Sequence, residues 1–295
     1  MQTDEQLKTL VRDTYTQVAD QSRTVNAASC CGSACGCSPL DDAAIMADDY
    51  TDMAGYVADA DLGLGCGLPT QFAQIKPGDV VVDLGSGAGN DCFVARAETG
   101  ETGRVIGLDM TPAMIDRARQ NTKKLGYTNV EFVYGDIEDM PLPHNLADVV
   151  VSNCVMNLVP NKAQAFAETF RILKPGGHFS ISDIVLAGTL PPAIRQAAEL
   201  YAGCVSGAIQ EQAYLDTVTQ AGFTNVQIQK RKPIVLPDDL LTQYLTAAEL
   251  TAYKATQIGI FSITVYAEKA NVQASAEATL VGATAGTACC GPDCC

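Results

Sequence analysis

The sequence predicts an α/β fold built on a doubly wound parallel sheet. Three observations carry that expectation. Short apolar runs of β type recur from Asp79 onward, at VVVDLG, RVIGLDM, VEFVYGD, ADVVVSN and HFSISDI, each bounded by turn residues. Helical stretches such as AMIDRARQNTKKLG and NKAQAFAETFRILK separate them, and strand-helix alternation folds into a parallel sheet covered by helices. Between the first run and its helix stand Gly85, Gly87 and Gly89, a turn where small residues let a ligand approach the backbone closely.

Taken in order, residues 3–20 read as a helix, with Leu7, Leu10, Val11, Tyr15 and Val18 at helical spacing. The small polar segment SRTVNAASCCGSACGCSP that follows reads as a loop. After Ile184 the regularity weakens. Pro191 and Pro192 open a helical segment through Tyr201, and another helix is expected over 210–221. Two late strands, NVQIQKR and GIFSITVYAEK, bracket a helical insertion containing DDLLTQYLTAAELTAYK, placed here as a small substrate-covering subdomain. Residues 271–288 lack periodicity and read as a tether ending in CCGPDCC. The expected division is 1–49, an N-terminal helix and Cys-rich segment; 50–185, the cofactor-binding domain; 186–270, the substrate-binding subdomain; and 271–295, a flexible tail.

Composition narrows the chemistry. A chain of 295 residues supports one sizeable core with additions. Its net charge of −15, with no Lys/Arg cluster to reverse the field, argues against nucleic-acid partners. No apolar run approaches the roughly 20 residues that span a bilayer, and MQTDEQLKTLVRDTYTQVAD lacks the basic flank and apolar stretch of a secretory signal. No membrane association, a cytoplasmic location and a monomer are expected. Twelve cysteines without an export signal point to metal, metalloid or redox chemistry. With only His144 and His178 present, His-rich zinc sites and Ser-His-Asp triads are poor candidates.

A nucleotide site is read from the first three strands. Asp83, Gly85, Ser86, Gly87 and Gly89 form the first turn, and Asp109, followed by Met110, closes the next strand roughly 20 residues on, where a carboxylate accepts from both ribose hydroxyls. GDIEDMPLP supplies Asp136 and Ile137 as a polar and apolar pair for an adenine edge and face, and Asn153 ends the fourth strand beside the same site. The spacing is G-x-G-x-G, unlike the dinucleotide G-x-G-x-x-G. With KPGG before the fifth strand, these residues resemble the class I S-adenosylmethionine methyltransferases over roughly 75–185. The resemblance implies a Rossmann-like doubly wound class I methyltransferase sheet, S-adenosyl-L-methionine as cofactor, and a glycine loop against its amino-acid part.

A closer resemblance is to arsenite methyltransferases, carried by LGLGCGLP, DLGSGAGNDCF, SNCVMNL, LKPGGHFSISDIV, YAGCVSGAI and GIFSITVYAEK over roughly 50–269. It implies three substrate thiols, Cys66, Cys154 and Cys204. Physical reasoning runs alongside. Ligands of a doubly wound sheet bind outside the carboxyl ends of the strands, where Cys154 follows ADVVVSN and Cys204 folds back from beyond HFSISDIV. Cys66 lies between glycines in a loop that crosses the cofactor mouth, and this loop's mobility makes it the expected exchangeable ligand. Trivalent arsenic is a soft centre that prefers thiolates to nitrogen or oxygen.

The remaining cysteines divide further. Cys92, on the apolar face of the first helix after the glycine turn, is expected to be a small buried hydrophobe. Cys30, Cys31, Cys35 and Cys37 lack the paired C-x-x-C spacing of structural zinc. The resemblance implies that Cys30 or Cys31 forms a disulfide with Cys66 during turnover, reset by thioredoxin or a small thiol such as glutathione. Cys289, Cys290, Cys294 and Cys295 are read as a metalloid-capturing tail. Two other functions fit parts of the pattern: a carbon or oxygen methyltransferase for a quinone-type metabolite, which needs a general base, and a non-enzymatic thiol buffer for metalloids.

Overall fold

The computed structural model describes residues 3–21, 48–192, 194–195, 205–256 and 258–271. Seven strands are formed there: β1 (Val80–Leu84), β2 (Arg104–Asp109), β3 (Val130–Tyr134), β4 (Ala147–Asn153), β5 (Leu173–Ala187), β6 (Thr224–Ile234) and β7 (Gly259–Glu268). They make one sheet in the order β3-β2-β1-β4-β5-β7-β6. The first five are parallel, while β7 runs antiparallel to both β5 and β6. All seven runs expected from the sequence are strands. The sheet also crosses the boundary expected at 185/186, because the two late strands extend it instead of standing apart.

The helices are α1 (Asp4–Ala19), α2 (Pro69–Phe72), α3 (Asn90–Thr99), α4 (Pro112–Leu125), α5 (Lys162–Ile172), α6 (Glu211–Gln220), α7 (Asp238–Leu241) and α8 (Ala247–Lys254). Alternate strand residues feed two cores, as a period of two requires. Val81, Val105 and Val149 pack with Phe93 of α3, Met114 and Ala118 of α4, and Ala19 of α1. Val82, Ile106 and Val150 pack on the other face with Phe166 of α5 and Tyr214 of α6. Strands buried on both faces need nearly continuous apolar sequence, and VVVDL and ADVVVSN provide it.

Local signals set the helix ends. Thr3 and Gln6 form a reciprocal capping box at the start of α1, and Gly126 closes α4 in the left-handed region. The helical insertion is formed by two short helices, with Thr246 capping α8 in a second box with Glu249. Most of the helix expected over 191–201 lies outside the described residues. β6 is an edge strand with alternating exposure, and its Lys230, Arg231, Lys232 and Pro233 are the charges and proline that blunt an open edge.

The two rims of the sheet differ. At the carboxyl ends, β1 and β4 lie side by side while their connections leave in opposite directions, the topological switch point where ligands of such sheets bind. The opposite rim is tied by turns. Gly176 N–H donates to Lys269 O, and Lys269 Nζ reaches Phe170 O and Leu173 O at 2.8 and 2.7 Å. After β7 the chain leaves the sheet from that far rim.

Candidate active site

The glycine turn folds over the end of β2, with the N–H groups of Gly85 and Ser86 both donating to Leu108 O, at 2.7 and 3.0 Å. Gly85 has φ +68°, and a Cβ there would come within 2.5 Å of Val155 Cγ2. Gly87 has φ +51° with nothing within 4 Å of its would-be Cβ, so it opens onto space a ligand can fill. Its N–H donates to Asp109 Oδ2 at 2.9 Å, and Thr111 N–H donates to Oδ1 at 2.8 Å. Each carboxylate oxygen retains acceptor capacity, as a pair of ribose hydroxyls requires.

A cleft runs from this turn along the carboxyl rim, and Asp83, Gly85, Ser86, Gly87, Asp109, Met110, Asp136, Ile137, Asn153 and Cys154 line it. Gly89 is not in the lining. It precedes α3 with φ +98°, and a Cβ there would press on Phe132 and Phe93. Several lining residues went unread in the sequence: Lys8, Val11 and Tyr15 from α1, together with Tyr50, Asp61 and Asp91.

Asn153 joins the cleft to the Cys66 loop. Its Nδ2 donates to Tyr50 Oη at 2.6 Å, Gly67 O at 2.9 Å and Asp91 Oδ2 at 3.3 Å. Its Oδ1 accepts from the N–H groups of Cys66 and Gly67 at 3.0 and 3.3 Å. Tyr50 Oη in turn donates to Asp91. Ser262 Oγ donates to Cys66 O at 2.6 Å, and Cys66 is fully buried. The loop expected to be mobile is therefore pinned. Its glycines serve close approach, since a Cβ at Gly65 would lie 2.5 Å from Asn153 Nδ2 and one at Gly67 2.5 Å from Ser182 Oγ.

Cys154 follows directly. Its φ of +62° is a left-handed conformation that β-carbon-bearing residues adopt at a cost, and its N–H is fixed to Ser182 O at 2.7 Å. Cys66 and Cys154 belong to one apolar cluster with Ile184, Leu186, Ile260 and Val205. Cys204 lies outside the described residues. So do Cys30, Cys31, Cys35, Cys37, Cys289, Cys290, Cys294 and Cys295. Among the described residues no group of three or more His, Cys, Asp or Glu side chains is arranged to hold a metal ion, and no helix is long and apolar enough to cross a membrane.

The cleft floor is acidic and buried. Burial, then the nearby Asp91 carboxylate, pushes Asp83 well above the usual carboxylate range. Burial raises Asp91 to about 6 against the opposing hydrogen bonds from Tyr50 and Asn153, and burial likewise raises Asp109. Cys92 is fully buried, as expected, and donates its thiol to Asp83 Oδ2 at 3.2 Å. Burial and that carboxylate push its thiol pKa up, so it serves as a neutral donor. On the other face of β5, burial raises Asp183 to about 7; it accepts from Tyr214 Oη at 3.2 Å. Buried carboxylates converging on one cleft favour a cationic ligand, and a sulfonium with an α-ammonium group satisfies that demand.

A family model described as a methyltransferase domain matches residues 75–222, half of the chain. The arsenite methyltransferase of Halobacterium salinarum is 38% identical over 268 residues, covering 85% of this chain and 67% of its own length. The chain belongs to the arsenite methyltransferase family. The human arsenite methyltransferase is 38% identical over 170 residues, 54% of this chain but 44% of its own. The chain thus spans about two thirds of the archaeal relative and less than half of the human one. A crystal structure of an arsenic(III) S-adenosylmethionine methyltransferase from Chlamydomonas reinhardtii superposes with a TM-score of 0.58 at 35% identity, covering 70% of this chain and 68% of that one. In this arsenite methyltransferase family member the glycine turn, Asp109 and the Asp136–Ile137 pair share one cleft with Cys154.

Proposed function

We propose that the protein transfers methyl groups from S-adenosylmethionine to trivalent arsenic, arsenite and then methylarsenite, held by Cys66, Cys154 and Cys204. One observation carries the reading: Asn153 borders the cofactor cleft and also holds the backbone of Cys66, with Cys154 next to it in the chain. The two reactants are thereby positioned by one side chain, and orientation is the main source of rate in a transfer that needs no general base.

When bound, S-adenosylmethionine supplies an electrophilic methyl group on a sulfonium. Asp109 would seat the nucleoside, the Gly85–Gly87 turn would lie against the amino-acid part, and Asp91 would balance the positive charge. The thiolates keep arsenic trivalent, with its lone pair directed at the cleft. The arsenic lone pair would take the methyl group, and the electron pair of the broken carbon–sulfur bond would stay with sulfur. Arsenic is thereby formally oxidised. Two cysteine thiolates, Cys66 with Cys30 or Cys31, return two electrons to arsenic and become a disulfide, which a thioredoxin-type or small-thiol reductant reopens. Because Cys66 is pinned by Asn153 and Ser262, that pairing requires the clamp to open. Segment 186–270 covers the arsenical, and the cysteine tail captures it. The reading is completed by a cytoplasmic monomer with no nucleic-acid or membrane partner.

The deciding experiment incubates the purified protein with arsenite, S-adenosylmethionine and a thiol, then separates arsenic species by chromatography. Methylated arsenic is the expected product. Its absence from a folded protein that binds arsenite would overturn the reading.

A further inference from the structure

We propose that α1 is a wall of the cofactor site, with Val11 and Tyr15 contacting the bound nucleoside and Lys8 acting as the positioning residue for Asp136. This rests on the S-adenosylmethionine reading of the cleft and assigns a part of it to a helix that lies far from it in the sequence.

Lys8, Val11 and Tyr15 fall at positions i, i+3 and i+7, one stripe of a helix, and all three line the same cleft as Gly87, Asp109 and Ile137. The opposite side of α1 faces solvent, with Leu10 54% exposed. The C-terminal end of the helix is docked firmly. Tyr15, Val18 and Ala19 join the apolar cluster of Met114 and Ala88, and Arg117 donates to the carbonyl oxygens of Ala19 and Gln21.

The N-terminal half is attached to the cleft differently, through charge. Lys8 Nζ bonds Asp136 Oδ2 at 2.6 Å and also contacts Glu138 Oε2. Its side chain is 17% exposed and that of Glu138 12%. Both carboxylates are held from behind, since Asp136 Oδ1 accepts from Glu138 N–H at 2.9 Å and Glu138 Oε1 accepts from Asn161 N–H at 2.7 Å. Lys8 therefore sets the direction of Asp136 Oδ2 while leaving that oxygen a second lone pair for a donor on the ligand. A nucleoside lying between Asp109 and Asp136 is bounded on one side by α1.

The test measures binding of S-adenosylmethionine and S-adenosylhomocysteine to the full chain by calorimetry, and dissociation by displacement of radiolabelled cofactor. Lys8→Met, which removes one partly buried charge-assisted contact, and Tyr15→Ala, which removes a ring from the cleft wall, are each expected to weaken binding about tenfold. Lys8→Arg is expected to restore most of the affinity. In turnover, KM for the cofactor should rise with kcat little changed, and arsenite binding should be unaffected, a split that general loss of stability would not produce. Wild-type affinity and dissociation rate in folded Lys8→Met or folded Tyr15→Ala would overturn the inference. Failure of the wild-type protein to bind the cofactor would overturn the underlying reading instead.

Discussion

Asn153 Oδ1 accepts the backbone N–H of Cys66 at 3.0 Å, so the residue ending β4 fixes a thiol that precedes it by most of the cofactor domain. Removing the amide takes the Oδ1 acceptor from the N–H groups of Cys66 and Gly67 in a buried setting, while the Tyr50 hydroxyl keeps its bond to Asp91. Asn153→Ala should destabilise the fold by roughly 1–3 kcal/mol, the cost of orphaning such groups. The more specific sign is faster alkylation of Cys66 by iodoacetamide, followed by peptide mass spectrometry. Unchanged labelling in a folded variant would show that Asn153 does not hold the loop.

The thiols should divide by substrate. Arsenite takes three thiolates, whereas methylarsenite, with one valence filled by carbon, takes two. Cys154→Ser and Cys204→Ser are therefore expected to abolish methylation of both substrates, and Cys66→Ser only that of arsenite. Speciation with each purified variant decides it. Full activity of Cys154→Ser toward arsenite would remove the thiolate site, and loss of both activities in Cys66→Ser would refute an exchangeable role for that residue.

Cofactor affinity should depend on pH through Asp91. Burial raises its pKa to about 6, so below that pH the carboxyl is neutral and above it the charge favours a sulfonium ligand. Affinity is expected to rise by up to about tenfold per pH unit as Asp91 ionises through the transition near pH 6. Asp91→Asn should flatten the profile. Titration calorimetry in buffers of different ionisation enthalpy would register the accompanying proton release at pH 6, and none would be seen if Asp91 were uninvolved.

Asp183 should act on stability. Its carboxyl is raised to about 7 by burial, opposed by the charge of Lys162. A carboxyl whose folded pKa exceeds its unfolded one stabilises fully below the unfolded value, and that contribution fades as pH rises through the folded one. The wild-type protein is thus expected to lose stability from this group between about pH 4 and 8. Asp183→Asn should gain roughly 1–3 kcal/mol at pH 8 and show a flatter dependence. Urea melts across that range provide the measurement, and a variant no more stable than wild type at pH 8 would contradict it.

The strands were legible because each is a β-branched run closed by turn residues, and the switch point followed from their alternation with helices. The place of β7 was not, since insertion between β5 and β6 depends on pairing with distant residues that local pattern does not encode. The cofactor residues of the first two strands were readable from spacing. Tyr50 and Asp91 were not: a tyrosine in a loop and an aspartate in the first turn of α3 have ordinary local explanations, the latter as a favourable charge at a helix N-terminus. The amphipathic stripe of α1 identified a helix without saying what it packs against. The glycines around Cys66 were visible, but their meaning was inverted. Small residues permit mobility and also close approach, and only the position of Asn153 distinguishes the two.

The chain leaves β7 at the rim opposite Cys66 and Cys154. Residues 178–187 of β5, paired along their length with β7, separate the two rims by about 30 Å at the rise of an extended strand. The stretch from 272 to 289 has a contour length of at most about 60 Å, enough to bridge them with modest slack. An arsenical taken up by the CCGPDCC thiols would then reach the reactive rim by tethered exchange, at an effective concentration governed by linker length instead of by free arsenite in solution. On that geometry, progressive shortening of 272–288 should leave uptake unchanged and slow handover abruptly once the linker no longer spans the sheet, a threshold measurable as turnover at limiting arsenite.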